Sequence, residues 1–169
     1  MIWSPKYFYS DEEICKYFEE IKLTKDDVVV FTDGSFSRES EHYNEVAGAG
    51  IVVFHDEQRY EYSIPLGDAD ILYAEQFALA QVFPLLDRLR IQVQNKRVII
   101  FVDNETTFRR VYSSNGIPTY PLLTKLFKLH IHKRLDKAKV IIHKVKSHMG
   151  KPIKANDLAD ACANRGRVR

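Results

Sequence analysis

Cysteine, proline, glycine and long apolar runs are all scarce in this chain. Its 169 residues include 2 Cys, 6 Pro and 7 Gly. Cys15 and Cys162 stand far apart, with neither Cys-x-x-Cys nor Cys/His spacing, so no disulfide framework and no zinc site is expected. Both read as small buried hydrophobes. No internal repeat or low-complexity linker interrupts the sequence, which at 45% hydrophobic residues fits one soluble domain with a sizeable core. No apolar run is long enough to span a bilayer, and the N-terminal stretch, with Lys6 and Asp11 to Glu13, lacks a secretory pattern. An intracellular protein without membrane contact is expected, cytoplasm and nucleus being indistinguishable.

What is present is an uneven charge. The net value is only +2, yet Pro121 to Arg169 holds 13 Lys/Arg against 3 Asp/Glu, while Met1 to Tyr120 holds 12 against 20. A polyanion would find its footing on the C-terminal part. A solvated basic helix face with a frayed Arg165 to Arg169 tail accounts for the bias equally well, so charge alone does not define a partner.

Ser10 and Glu13 form a capping box, and Ile14, Tyr17, Phe18 and Ile21 recur at helical spacing, which predicts an amphipathic helix over 10–22. A strand follows at 28–32, then a polar loop from Ser35 to Glu45. Ala47 to Phe54 and Gln58 to Ile64 form a hairpin around His55-Asp56-Glu57. The pattern turns helical from about Ile71 to Arg90, bent or divided near Pro84. A strand at 97–102, helices near 106–112 and 119–135, a strand at 139–145 and a helix at 155–164 complete the chain. Strands grouped first and alternating with helices later imply a five-stranded mixed sheet, three antiparallel strands followed by βαβ units, flanked by helices.

Four acidic residues sit in separate segments of this α/β plan. Asp33 lies in Thr32-Asp33-Gly34-Ser35, Glu75 in Ala74-Glu75-Gln76, Asp103 in Val102-Asp103-Asn104 and Asp160 in Asn156-Asp157-Leu158-Ala159-Asp160. Asp33 and Asp103 end apolar runs that read as buried strands, where a carboxylate is costly unless it is paired or holds a cation. Active sites of such sheets gather at the carboxyl ends of strands. Taken singly, each acid has an ordinary explanation: a turn at Asp33-Gly34, an exposed helical Glu75, a cap at Asp103-Asn104, a solvated Asp160. A fold that gathered all four would present an oxygen-only site suited to Mg²⁺ or Mn²⁺.

These segments, together with Gly48-Ala49-Gly50-Ile51-Val52-Val53 and Val145-Lys146-Ser147-His148-Met149-Gly150, resemble the ribonuclease H family of type 1, including its retroelement branch, from about Val28 to Asn164. The pieces occur in the family's order on segments of the expected type. The resemblance implies a ribonuclease H-like domain over 28–169, preceded by an N-terminal helical extension over 1–27. It implies that Asp33, Glu75, Asp103 and Asp160 hold two Mg²⁺ ions, with Mn²⁺ as substitute, and that His148, on a loop before the last helix, moves a proton or helps release product. Asp157, one helical turn from Asp160, is a rival for the fourth carboxylate.

The implied activity is a divalent-metal-dependent endonuclease that hydrolyses the RNA strand of RNA–DNA hybrids by a two-metal mechanism and leaves 5′-phosphomonoesters. The alternatives are a DNA nuclease of the same fold, junction resolvase or transposase-like, acting on another nucleic-acid duplex, and a non-catalytic nucleic-acid-binding module. Retention of all four acids argues against the module, because unbalanced carboxylates near phosphate weaken binding. Two departures bear on the substrate. Asp70-Ile71-Leu72-Tyr73 fills the stretch where many members carry residues that contact sugar hydroxyls, and Glu105 stands where a Gln commonly follows the third carboxylate. With the basic handle helix absent, Lys125, Lys128, Lys133, Arg134, Lys144, Lys146 and the tail are the expected phosphate contacts.

Overall fold

In the computed structural model, which describes residues 3–39, 44–112, 120–135, 139–146 and 153–167, six strands form one mixed sheet. They are β1 (Tyr7–Phe8), β2 (Val28–Glu39), β3 (Asn44–His55), β4 (Gln58–Gly67), β5 (Val98–Val102) and β6 (Val140–Val145). Their spatial order is β1-β6-β5-β2-β3-β4, with β2, β3 and β4 antiparallel and β1, β6 and β5 parallel to β2. The expected class holds. The strand count rises from five to six because β1, only two residues long and without a readable period, adds to the edge of β6.

Central strands β5 and β6 are buried at every position, as parallel strands covered by helices on both faces must be; β5 is wholly apolar, while β6 includes His143 and Lys144. On one face lie α2 (Ile71–Ala80), α3 (Val82–Arg88), α4 (Glu105–Tyr112) and α5 (Pro121–Leu126), packed on Val28, Val30, Ile51, Val98, Ile100 and Ile142. The latter helix continues through a π-helical stretch, Phe127–His132, into α6 (Lys133–Leu135). Here the buried residues Leu123, Phe127 and Ile131 recur at strict intervals of four. An α-turn of 3.6 residues rotates such a row away by about 40° per step, and the wider turn brings it back toward the core. On the other face lie α1 (Asp11–Glu20) and α7 (Lys154–Arg165), with Phe31 and Phe101 stacked at 4.6 Å beneath them.

Helix α1 begins as its capping box dictates: Ser10 Oγ accepts from Glu13 N, and the Glu13 carboxylate accepts from Tyr9 N. Ile14 and Tyr17 are buried against Phe8, Phe101 and Ile141. The β3–β4 turn is formed by Asp56 and Glu57, both left-handed (φ 49° and 62°), the geometry of a type I′ hairpin. Strand β2 runs on through Glu39 where a polar loop from Ser35 was expected, because β3 pairs with it residue by residue from Val29↔Phe54 to Glu39↔Asn44. Helix α2 ends at Ala80 and α3 resumes at Val82, the division expected near Pro84, which has no N–H to give the preceding turn. Cys162 is buried as expected, whereas Cys15 is exposed on the outer face of α1.

Candidate active site

Parallel pairing of β2 with β5 stops at Thr32↔Val102, so Asp33 and Asp103 are the next residues on neighbouring strands. Two missing side chains bring the other acids to them. A Cβ on Gly34 would lie 2.5 Å from the backbone N of Glu75, and this close approach of α2 to β2 delivers the Glu75 side chain. Gly50, the pairing partner of Asp33, leaves no space either, since a Cβ there would strike the Ala159 carbonyl. Helix α7 thus lies directly against β3 and carries Asp160 to Asp33.

Asp33 hydrogen-bonds with both Glu75 and Asp160, and Asp103 adds its charge to the group. Asp33 and Glu75 are only 5% and 7% exposed. Burial, and for Asp33 also the facing Glu75 carboxyl, pushes both far above the ordinary carboxylate range. Asp33 Oδ1 accepts from Gly34 N at 2.9 Å. Asp103 is held on two sides: Asn156 Nδ2 donates to Oδ2 at 3.1 Å, and the Lys144 ammonium lies 3.5 Å from Oδ1. Asn164 bridges the rim, accepting from Ser35 Oγ at 2.5 Å and donating to Asp160 at 3.3 Å.

The donor set suits a hard divalent cation: four carboxyl groups, no sulfur and no imidazole among the described residues. Added positive charge would also favour the ionised forms of Asp33 and Glu75, which burial disfavours. Among the described residues no three His, Cys, Asp or Glu side chains are already disposed around a common ion centre; Asp33 instead hydrogen-bonds with Glu75 and Asp160, and Asp103 is held by Asn156 and Lys144.

Of the residues singled out by sequence, Asp33, Glu75, Asp103 and Asp160 come together. His148 lies outside the described residues, as do 147–152. Asp157 is exposed on α7, and Asp160 rather than Asp157 is the one that meets Asp33. Asn104, not Asp103, caps α4, accepting from Thr107 N at 2.8 Å. Asp70 caps α2 through Tyr73 N and also accepts from the Tyr120 hydroxyl, so its side chain is committed to the fold. Lys144 was expected among the surface phosphate contacts; it is 4% exposed, donates to the Val145 carbonyl at 2.5 Å and faces Asp103. A lysine inside a strand buried at every position carried that signal. Arg134, also expected on phosphate, donates to the His130 carbonyl and stacks over Phe83.

The sequence model of the RNase H family matches residues 25–168, and the chain belongs to that family. Among solved structures, LC11-RNase H1, isolated from compost and solved in complex with an RNA/DNA hybrid, is 19% identical with a TM-score of 0.62, covering 83% of this chain and 96% of that one. The foamy viral protease-reverse transcriptase in complex with RNA/DNA hybrid is 26% identical with a TM-score of 0.62, over 86% of this chain and 21% of that longer one. The N-terminal RNase H domain of a Mycobacterium tuberculosis protein is 20% identical with a TM-score of 0.58, over 84% of this chain and 99% of that one. No curated protein sequence matches the chain. No helix among the described residues is long and apolar enough to cross a membrane.

Proposed function

We propose that this protein is a divalent-metal-dependent endonuclease that hydrolyses the RNA strand of RNA–DNA hybrids and leaves a 5′-phosphate and a 3′-hydroxyl. The observation that carries the reading is the meeting of Asp33, Glu75, Asp103 and Asp160 where the parallel pairing of β2 and β5 ends, in a chain of the RNase H family. Two of these similar proteins were solved in complex with RNA/DNA hybrid, which favours that duplex as substrate.

In this reading the four carboxylates hold two Mg²⁺ ions. When bound, such ions supply positive charge at the attacking water and at the departing 3′ oxygen. The chain's own contribution is placement. Gly34 and Gly50 fix how closely α2 and α7 approach Asp33, while Asn156 and Lys144 orient Asp103, so the acids are set before substrate arrives. His148 is proposed to shuttle a proton or to aid product release.

The test is cleavage of end-labelled RNA–DNA hybrid, duplex RNA, duplex DNA and a four-way junction with Mg²⁺ or Mn²⁺, by wild type and Asp103→Asn. Cutting of the hybrid's RNA strand, reduced at least 10²-fold by the substitution, is expected. Cutting of the junction or duplex DNA instead would move the assignment to a DNA nuclease, and binding without any cleavage would reduce the protein to a binding module.

A further inference from the structure

One edge of the sheet is built by residues that precede the family-matched region. Strand β1 pairs with the end of β6, Tyr7 opposite Lys144 and Phe8 opposite Val145, so Tyr7 lies beside the lysine that faces Asp103. Its hydroxyl donates to Glu105 Oε1 at 2.6 Å, and Arg109 Nε donates to the same oxygen at 3.0 Å. Its ring rests edge-on against Phe108. The Lys146 ammonium sits 5.1 Å from the Tyr7 ring centroid and 6.0 Å from that of Tyr9, and Lys146 N donates to the Phe8 carbonyl. Both tyrosines remain 37% exposed.

Resting on the nuclease reading above, we infer that β1 and Lys146 form a nucleic-acid contact surface flanking the carboxylate cluster, which takes one strand of the substrate duplex. Three observations point to that occupant. The surface joins the carboxylates through Tyr7, Lys144 and Asp103, so a strand lying across the acids continues onto it. Its chemistry is that of a sequence-tolerant strand site: an ammonium to meet a phosphate, and two half-exposed rings to meet sugars or bases. Lys146 is held against the rings rather than free in solvent, and Tyr7 is held by Glu105, so little side-chain freedom remains to be lost on binding.

The same contacts explain Glu105. A carboxylate two residues beyond Asp103 would repel a phosphate, but here it accepts from the Tyr7 hydroxyl and from Arg109, which spreads its charge within the chain. The N-terminal strand therefore serves substrate binding twice, by offering aromatic surface and by occupying an unfavourable acid.

Binding of a fluorescein-labelled RNA–DNA hybrid, followed by anisotropy in EDTA across a salt series, tests this in the full chain. Tyr9→Ala is expected to weaken binding about tenfold, and Lys146→Met to lower the slope of log K against log salt by about one. Tyr7→Phe, which leaves Arg109 as the one remaining donor to Glu105 Oε1 while keeping the ring, is expected to weaken binding, and adding Glu105→Gln to restore it; a merely structural tyrosine would show no such rescue. Unchanged affinity and slope in these variants, with wild type still cutting hybrid, would overturn this surface alone. Loss of binding in the variants of a protein that cuts nothing would sink the nuclease reading and leave the surface standing.

Discussion

Lys144 places a positive charge where carboxyl groups crowd, 3.5 Å from Asp103 and near enough to lower the proton affinity of Glu75. A buried lysine whose neighbours are acids is a resident counter-charge, and removing it leaves them uncompensated at a cost of about 3 kcal/mol. Lys144→Met is expected to lower the melting temperature in EDTA, and Mg²⁺ to recover more stability in this variant than in wild type; equal Mg²⁺ shifts in the two would show that the lysine does not share the ions' role. At Gly34 an added methyl meets the Glu75 backbone at 2.5 Å, so Gly34→Ala must push α2 outward. The expected cost is about 1–3 kcal/mol in urea unfolding, with a larger fall in hybrid cleavage than the stability loss explains. Asp33 and Asp103 were legible because carboxylates ending apolar runs demand a reason, whereas Glu75 and Asp160, on helices, became legible only through the family resemblance. A lysine within the apolar run of β6 signals burial for Lys144 but not that Asp103 stands at the adjacent strand end, and Glu105 finds its partner in Tyr7, on a strand with no readable period.

The N-terminal segment is fastened to the sheet by polar anchors as well as by apolar burial. His143 on β6 accepts from Lys6 N through Nδ1 at 3.1 Å, which leaves Nε2–H to donate to the Tyr17 hydroxyl at 2.8 Å. Burial, with Lys6 nearby, pushes its pKa down from 6.5 to about 3. The folded chain thus keeps it neutral where the unfolded chain protonates it. The stability it contributes is full above about pH 6.5 and is lost as pH falls toward 3. Between pH 6.5 and 5 the expected loss is about 2 kcal/mol, read as a falling urea midpoint that flattens in His143→Gln.

Arg97 makes the second anchor, donating to both Asp27 oxygens at 2.9 and 2.5 Å and to the carbonyls of Ile21 and Lys22 at the end of α1. Partial burial raises the Asp27 pKa, but the Arg97 and Thr24 hydrogen bonds outweigh it and hold the acid below its usual range. That stability is present above the ordinary aspartate pKa and disappears as pH falls through the depressed value. Asp27→Asn is expected to cost about 2 kcal/mol at pH 7, measured by the same unfolding series. Helix α1 was readable from its capping box and spacing. Strand β1 was not, since two residues carry no period, and the length of β2 was hidden by the polar Ser35 and Ser37, whose strand conformation comes from pairing with β3.

Across the whole molecule, one sheet separates the two faces and ends in the acids. The C-terminal cations are spread around it: Lys133, Arg134 and Lys139 line a cavity of about 480 Å³ with Lys96, at the amino ends of β5 and β6 and so away from the carboxylates. The charge bias of the sequence therefore did not locate the site, whereas the order of strands and acids did. Everything proposed for the chemistry rests on the gathered carboxyl groups accepting divalent ions. Anomalous scattering from Mn²⁺ in crystals of the wild-type protein measures this most directly. The account predicts density for the ion in contact with Asp33 and at least one of Glu75, Asp103 and Asp160, absent in Asp33→Asn. A cluster that stays closed on its own hydrogen bonds at saturating Mn²⁺, with no peak against Asp33, would contradict it.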